Sequence, residues 1–374
     1  MYTRTPFRQI SRIYSSILAL GHWPAEAKAQ NQEIAQAVMA NAAATRELAD
    51  QLRAPVQLKT ATPTPHPAAP PQEGASPTAR LLEQFRRNLL SRVELLLCVD
   101  VGARWGVDSA LLLLKEKAKL LCFDPDEEEC ARLQIDHSLD AVEYVPLALS
   151  SDGRELSLTI TRQPACSSIY PPMEAMYRHY PALIDIEPER VVSVPSTSLD
   201  KFLADRGLQR PDLLKLDTQG SELDILQGAV NNLSAVCMID IEVEFNPIYS
   251  GQALFGEIDL FMRTHGFSLW RLPALVHYAP ETFPSLKTPF QAVSHPGRLE
   301  TVNPGNGQLF WGQAHYVRSE FLPTSPRPLS ADFAYRAAVI ASAYGYWDLA
   351  LLVLEKCKDA AFEASSLREL LSLE

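Results

Sequence analysis

From residue 95 onward, short apolar runs alternate with amphipathic stretches, and the runs lead into Asp, Gly or Glu. The runs are 95–101 (LLLCVDV), 120–123 (LLCF), 142–147, 213–216 (LLKL) and 236–244. A largely apolar run of four to nine residues fits a strand buried on both faces, which an exposed sheet would not need. Between and after them, 108–119, 127–136, 222–229 and 255–265 carry helical spacing. Strand–helix alternation of this kind predicts a parallel sheet with helices on both faces. The run 309–317 (LFWGQAHYV) follows a Pro/Gly-rich loop with no helix before it, which suits an antiparallel strand added at the end of the sheet. The expected fold class is therefore α/β: a doubly wound, Rossmann-like sheet over 80–322 with a terminal antiparallel strand.

The flanks differ in texture. Residues 1–54 form an N-terminal extension in which Ile34, Val38, Ala42, Leu48 and Leu52 recur at roughly helical spacing, predicting a solvated helix suited to self-association. Residues 55–79 are a proline-rich linker, with Pro63, Pro65, Pro67, Pro70 and Pro71 imposing an extended spacer. Residues 323–374 read as a helical hairpin broken at Tyr344-Gly345-Tyr346, a cap on the main domain. No stretch approaches the roughly 20 apolar residues of a membrane span. A net charge of -11 argues against a nucleic-acid partner held by a basic face. The six cysteines include no C-x-x-C pair, so they are expected to be reduced and structural, consistent with a cytoplasmic location.

Four constellations carry chemistry. At 99–106 (VDVGARWG), Gly102 and Gly106 allow a tight turn from strand to helix, and the helix N-terminus is expected to face a ligand. Only a D-x-G-x-x-x-G spacing is present, not the G-x-G-x-x-G of a dinucleotide site, so a nicotinamide oxidoreductase is disfavoured. Asp100 would suit a cationic ligand tail. At 123–126 (FDPD), Asp124 stands 24 residues after Asp100, suited to ribose hydroxyls or to capping the next helix. At 214–222 (LKLDTQGSE), Asp217 ends a central strand where open α/β sheets bind ligands. At 241–247 (IEVEFNP), Glu242 and Glu244 share one strand face, and their like charges would lift one pKa toward a general base unless solvent or cations neutralise them. No ligand spacing demands a metal.

These runs, with ALSSDG at 148–153, CSSIYPP at 166–172, SLDKFL at 198–203, LLKLDTQGSELDILQGA at 213–229 and IEVEFNPIYSGQALFGEIDLFMRTHGF at 241–267, together resemble the FkbM-type S-adenosylmethionine-dependent methyltransferases. The resemblance covers about 95–318 and implies a Rossmann-like methyltransferase using S-adenosylmethionine, usually on a hydroxyl of a sugar or polyketide. The expected acceptor is a small molecule or a glycan. By position in the family, Asp100, Gly102, Ala103 and Gly106 would wrap the methionine part and Asp124 the ribose. Ala148 and the turn holding Asp152 would lie near adenine, and Asp217 near the reacting end. Glu244 is the first candidate for the general base, Glu242 the second, with Asp217 assisting. Arg104-Trp105 is bulkier than the family's opening loop and is expected to narrow the pocket. An alternative follows from that bulk: a methyltransferase fold kept as a scaffold, with the extensions binding partners.

Overall fold

The computed structural model describes residues 77–136, 140–208, 210–280, 292–295, 298–301 and 307–372. The predicted N-terminal helix, its self-association and the proline-rich linker up to residue 76 lie outside the described residues.

Helix α1 (Pro77–Leu90) precedes the sheet, with proline at its first position, where the missing N–H costs nothing. It buries Leu82, Phe85, Arg86, Leu89 and Leu90, the i, i+3, i+4 stripe of a helix with one dry face. The sheet then begins with β1 (Leu96–Val101), α2 (Ser109–Leu112), β2 (Ala118–Phe123), α3 (Glu127–Asp136) and β3 (Val142–Val145). A smaller region follows: β4 (Ala148–Leu149), β5 (Leu156–Thr161), α4 (Glu174–His179), β6 (Pro188–Val194) and β7 (Ser196–Thr197). Here β5 and β6 pair antiparallel, and β4 pairs parallel with β7. The main sheet resumes with α5 (Leu199–Asp205), β8 (Leu213–Leu216), α6 (Glu222–Gln227), β9 (Met238–Glu244), α7 (Phe255–Thr264) and β10 (Phe267–Tyr278). After a short hairpin of β11 (Ala292–His295) and β12 (Arg298–Thr301), β13 (Gln308–Arg318) returns to the sheet. Helices α8 (Ala331–Ala343), α9 (Trp347–Glu355) and α10 (Ala361–Leu371) close the chain.

The seven-stranded order is β3-β2-β1-β8-β9-β13-β10. The first five strands are parallel, and β13 runs antiparallel to both neighbours. This is the doubly wound α/β sheet expected from the sequence. The antiparallel strand is present, but it inserts between β9 and β10 instead of lying outermost, because a further strand at 267–278, not expected from the sequence, pairs with its other edge. Strand β1 lies between β2 and β8: the chain adds β2 and β3 on one side of it and β8 and β9 on the other, so the strand order reverses at the carboxyl ends of β1 and β8. That crevice is where such sheets bind ligands.

One expected helix is corrected. Over 108–119 the chain forms only the four-residue α2 and a 3-10 turn at Lys115–Lys117, because pairing of β2 with β1 already begins at Ala118 opposite Leu96. Asp108 caps α2 by accepting from the Ala110 N–H at 2.7 Å, so this short helix offers no free N-terminus to a ligand.

Leu97, Val99, Leu214 and Ile239 face α5, α6 and α7 on one side of the sheet. Leu96, Cys98, Leu120, Leu213 and Met238 share a second core with α1 and the last three helices. Arg336 of α8 ties that cover to the sheet, donating to Leu95 O at 2.8 Å and to Asp212 at 3.1 Å. No helix among the described residues is long and apolar enough to cross a membrane.

Candidate active site

The carboxyl ends of β1, β2 and β8 open into a cavity of about 390 Å³, the size of a small-molecule site. Its floor includes Gly102, Asp124 and Asp217, and the β5–β6 hairpin supplies an apolar wall of Leu158, Ile160, Val192 and Val194. Neither strand of that pair was expected from the sequence. In β5, Leu156, Leu158 and Ile160 alternate with Ser157, Thr159 and Thr161, and that two-residue period was the available signal.

Gly102 has φ +86°, and a Cβ there would lie 1.9 Å from the Asp217 carbonyl oxygen. Only glycine lets the exits of β1 and β8 pass this closely. The Gly102 and Ala103 N–H groups both donate to Phe123 O, at 2.9 and 3.2 Å. At Gly102 the loop therefore offers a ligand bare backbone, with those two amides already committed, and Arg104 beside it also lines the cavity. Arg104 leans onto Asp126 at 2.9 Å, and Trp105 is 67% exposed. The expected narrowing by this pair does not close the cavity.

Asp124 is buried, and its Oδ1 accepts from the Asp126 N–H at 2.9 Å, the local turn-capping bond. Burial pushes its carboxyl upward, opposed by that N–H and by the Arg104 guanidinium. Asp100 does not line the cavity. It is buried behind the Gly102 loop, where Lys215 Nζ donates to Oδ1 at 3.2 Å. Burial raises its carboxyl and Lys215 opposes the rise. Burial alone would depress the Lys215 ammonium, but the carboxylates around it, Asp100 first, raise it above its ordinary value.

Of the remaining predicted positions, Ala148 lines the cavity. Ala103 and Gly106 lie in the loop behind it, Gly106 with φ +95°. Asp152 stands on an exposed turn, paired with Arg154 at 2.8 Å. Asp217 lines the cavity with its side chain 39% exposed.

Glu242 and Glu244 share a face as expected, but they sit beneath the cavity, 5% and 2% exposed. Gln219, which lines the cavity, separates Glu242 from it. Its Nε2 donates to Glu242 Oε2 at 2.8 Å, and the Tyr249 hydroxyl lies 3.0 Å from its Oε1. Gln219 has φ +59°, the one non-glycine residue in the left-handed region among the described residues. That backbone strain, about 1 kcal/mol, is held at the site by the contacts around it. Glu222 adds a further buried carboxylate, accepting from the Thr218 N–H and hydroxyl at 2.7 and 2.9 Å. Burial pushes Glu222 up to about 7. Burial also raises Glu242 and Glu244 well above the usual range, reinforced by Asp217 at the first and Glu222 at the second. At neutral pH this stack cannot be fully ionised. Gln219, Tyr249, Lys215 and the hairpin are the parts that sequence reasoning missed.

Three relatives are similar in sequence. The 2-O-methyltransferase NoeI of Sinorhizobium fredii is 27% identical over 170 residues, covering 41% of this chain and 65% of the relative. Methyltransferase sdnD of Sordaria araneosa is 26% identical, covering 50% and 78%. The hexuronic acid methyltransferase AglP of Haloferax volcanii is 24% identical, covering 38% and 54%. The chain thus spans less than two thirds of the length of the first and third relatives. The model of the "Methyltransferase FkbM domain" matches residues 100–269, the stretch from the end of β1 into β10. Over those residues the chain contains an FkbM-type, S-adenosylmethionine-dependent methyltransferase domain.

Proposed function

We propose that this chain is an O-methyltransferase that moves the methyl group of S-adenosylmethionine to a hydroxyl of a sugar, glycan or glycolipid precursor. The observation that carries the proposal is the cavity at the carboxyl edge of β1, β2 and β8, with Asp124 and Asp217 in its floor and a bare glycine loop between the strands. These residues fit the cofactor. The buried Asp124 would accept from ribose hydroxyls, while Ala148 and the apolar hairpin would cover a flat base. The Gly102 loop would give room to the methionine part, with Asp100 and Lys215 behind it. The acceptor class is supported by the relatives whose names state 2-O-methylation and a hexuronic acid.

The bound cofactor would supply an already electrophilic methyl carbon. The protein must align the acceptor oxygen, exclude water and take up a proton. Among the three carboxylates proposed for the last task, Asp217 lines the cavity, whereas Glu242 is bonded behind Gln219 and Glu244 is buried outside the lining. We therefore place Asp217 first as the base, with Glu242 holding Gln219 in place.

Two variants test this assignment. Asp124→Asn keeps the oxygen that caps Asp126 but loses the anionic acceptor, and should weaken S-adenosylhomocysteine binding roughly 30-fold, the equivalent of about 2 kcal/mol for a bond to a charged group. Asp217→Asn should lower kcat by about 10²–10⁴ with cofactor affinity nearly unchanged. Transfer of labelled methyl to a panel of neutral and acidic oligosaccharides is the readout. Label appearing on none of them while the cofactor binds would refute the acceptor class.

A further inference from the structure

One register level of the sheet is a buried polar row. Asp100 on β1 stands opposite Lys215 on β8, Lys215 opposite Asp240 on β9, and Asp240 opposite His315 on β13. Residues paired in this way project to the same side of a sheet. Asp100, Asp240 and His315 are each no more than 2% exposed. Buried charges of this kind are costly unless paired, so where each partner comes from matters.

Lys215 pairs toward the site, 3.2 Å from Asp100 Oδ1 and 3.8 Å from Asp217 Oδ2. Asp240 is satisfied from the other direction. Gln313 Nε2 donates to its Oδ1 at 2.7 Å, His315 Nε2 lies 3.1 Å from the same oxygen, and the Tyr344 hydroxyl donates to Oδ2 at 3.0 Å. The Tyr346 hydroxyl in turn bonds His315 Nδ1. Tyr344 and Tyr346 flank Gly345, φ +72°, in the turn between α8 and α9. The C-terminal helices therefore place two hydroxyls into the row. With Asp240 hydrogen-bonded by these donors, the Lys215 ammonium stays on the two carboxylates at the cavity. Asp100 also accepts from the Asp108 N–H at 3.4 Å, which links the row to the far end of the Gly102 loop.

We propose that the Tyr344-Gly345-Tyr346 turn is a positioning element of the cofactor site, holding Asp240 and His315 so that Lys215 remains on Asp100 and Asp217 beneath the Gly102 loop. The proposal rests on the reading of that cavity as the S-adenosylmethionine site. His315, Tyr344 and Tyr346 all lie beyond residue 269, outside the stretch that matches the family model, so the device belongs to this chain's own C-terminal part.

Tyr344→Phe in the full chain keeps the ring and removes only the hydroxyl. Two quantities are measured: the Kd for S-adenosylhomocysteine by calorimetry, and backbone hydrogen exchange over residues 100–108 in the free protein. The expected result is a Kd raised about tenfold, the scale of one hydrogen bond to a charged group, with faster exchange in that loop. Arg92→Met, which breaks the 2.7 Å pair with Glu363 of α10 on another part of the same helical cover, should leave both within twofold. Unchanged Kd and exchange in Tyr344→Phe would overturn the proposal. Equal changes in both variants would overturn it too, since they would report loosened docking of the helices. If the wild type binds no S-adenosylhomocysteine, the functional reading fails, and the exchange comparison alone decides the coupling.

Discussion

In the Gly102→Ala protein, S-adenosylhomocysteine binding should be lost and the melting temperature should fall by about 6 °C or more. Two costs combine. Left-handed backbone costs a residue with a Cβ roughly 1–2 kcal/mol, and Gly102 has φ +86°. The larger cost is steric: the new Cβ would sit 1.9 Å from the Asp217 carbonyl oxygen and 2.8 Å from its carbon. Both are backbone atoms and cannot rotate away, so β1 and β8 must spread where they support the cavity. Strain of this kind reaches about 3 kcal/mol, and each kcal/mol is worth roughly 2–4 °C in a domain of this size. Gly207→Ala provides the control, because its φ is +59° but nothing lies within 4 Å of the added Cβ. It should cost only the conformational part and leave binding intact. Thermal melts with calorimetric titrations separate the two. A Gly102→Ala protein that melts and binds like Gly207→Ala would show that the close approach of β1 and β8 does not matter.

The buried carboxylates make a second large prediction. Burial raises Glu222 from 4.5 to about 7. The folded state therefore holds a proton on this group that the unfolded chain releases near pH 4.5. The resulting stability is fully present below about pH 4.5 and is lost as pH rises through about 7. At about 1.4 kcal/mol per pH unit, the loss approaches 3 kcal/mol by pH 8. Glu222→Gln is a neutral isostere whose amide oxygen can still accept from the Thr218 N–H and hydroxyl. It should match the wild type near pH 4.5 and exceed it by about 3 kcal/mol at pH 8. Denaturant unfolding across that range checks this, and parallel pH curves for the two proteins would refute the assignment.

The parts of the fold that were legible share one property. Strands β1 and β2 are buried on both faces, so their LLCV and LLCF segments read as short apolar runs, and β9 (MIDIEVE) is buried throughout although every second residue from Asp240 is acidic. Strand β10 was not legible, because FSLWRLPALVHY carries Pro273 and mixed burial. Proline is tolerated where a strand is an edge or is bulged, and here it falls in the register shift between Arg271 and Ala274 of the outermost strand. The run ALLLL at 110–114 has helical composition, yet the helix stops because β2 must start at Ala118 to pair with β1.

The site divides in the same way. Gly102, Asp124, Ala148 and Asp217 follow local rules: a strand end, a tight turn, a cap. That Glu242 and Glu244 share a face follows from the two-residue period of a strand. That they lie under the cavity depends on Gln219 and Tyr249, which approach from other segments, so no local pattern reports it. The partners of Tyr344 and Tyr346 are more distant still, 104 residues away for Asp240 and 31 for His315.

The central claim is that the cavity at the carboxyl ends of β1, β2 and β8 holds S-adenosylmethionine. The most direct measurement is calorimetric titration of the wild-type chain with S-adenosylhomocysteine, with NAD as the comparison ligand. The account predicts one saturable site for S-adenosylhomocysteine and no binding of NAD, since the loop after β1 has the D-x-G-x-x-x-G spacing and its first two amides are committed to Phe123. Absence of S-adenosylhomocysteine binding, or equal binding of NAD, would contradict it.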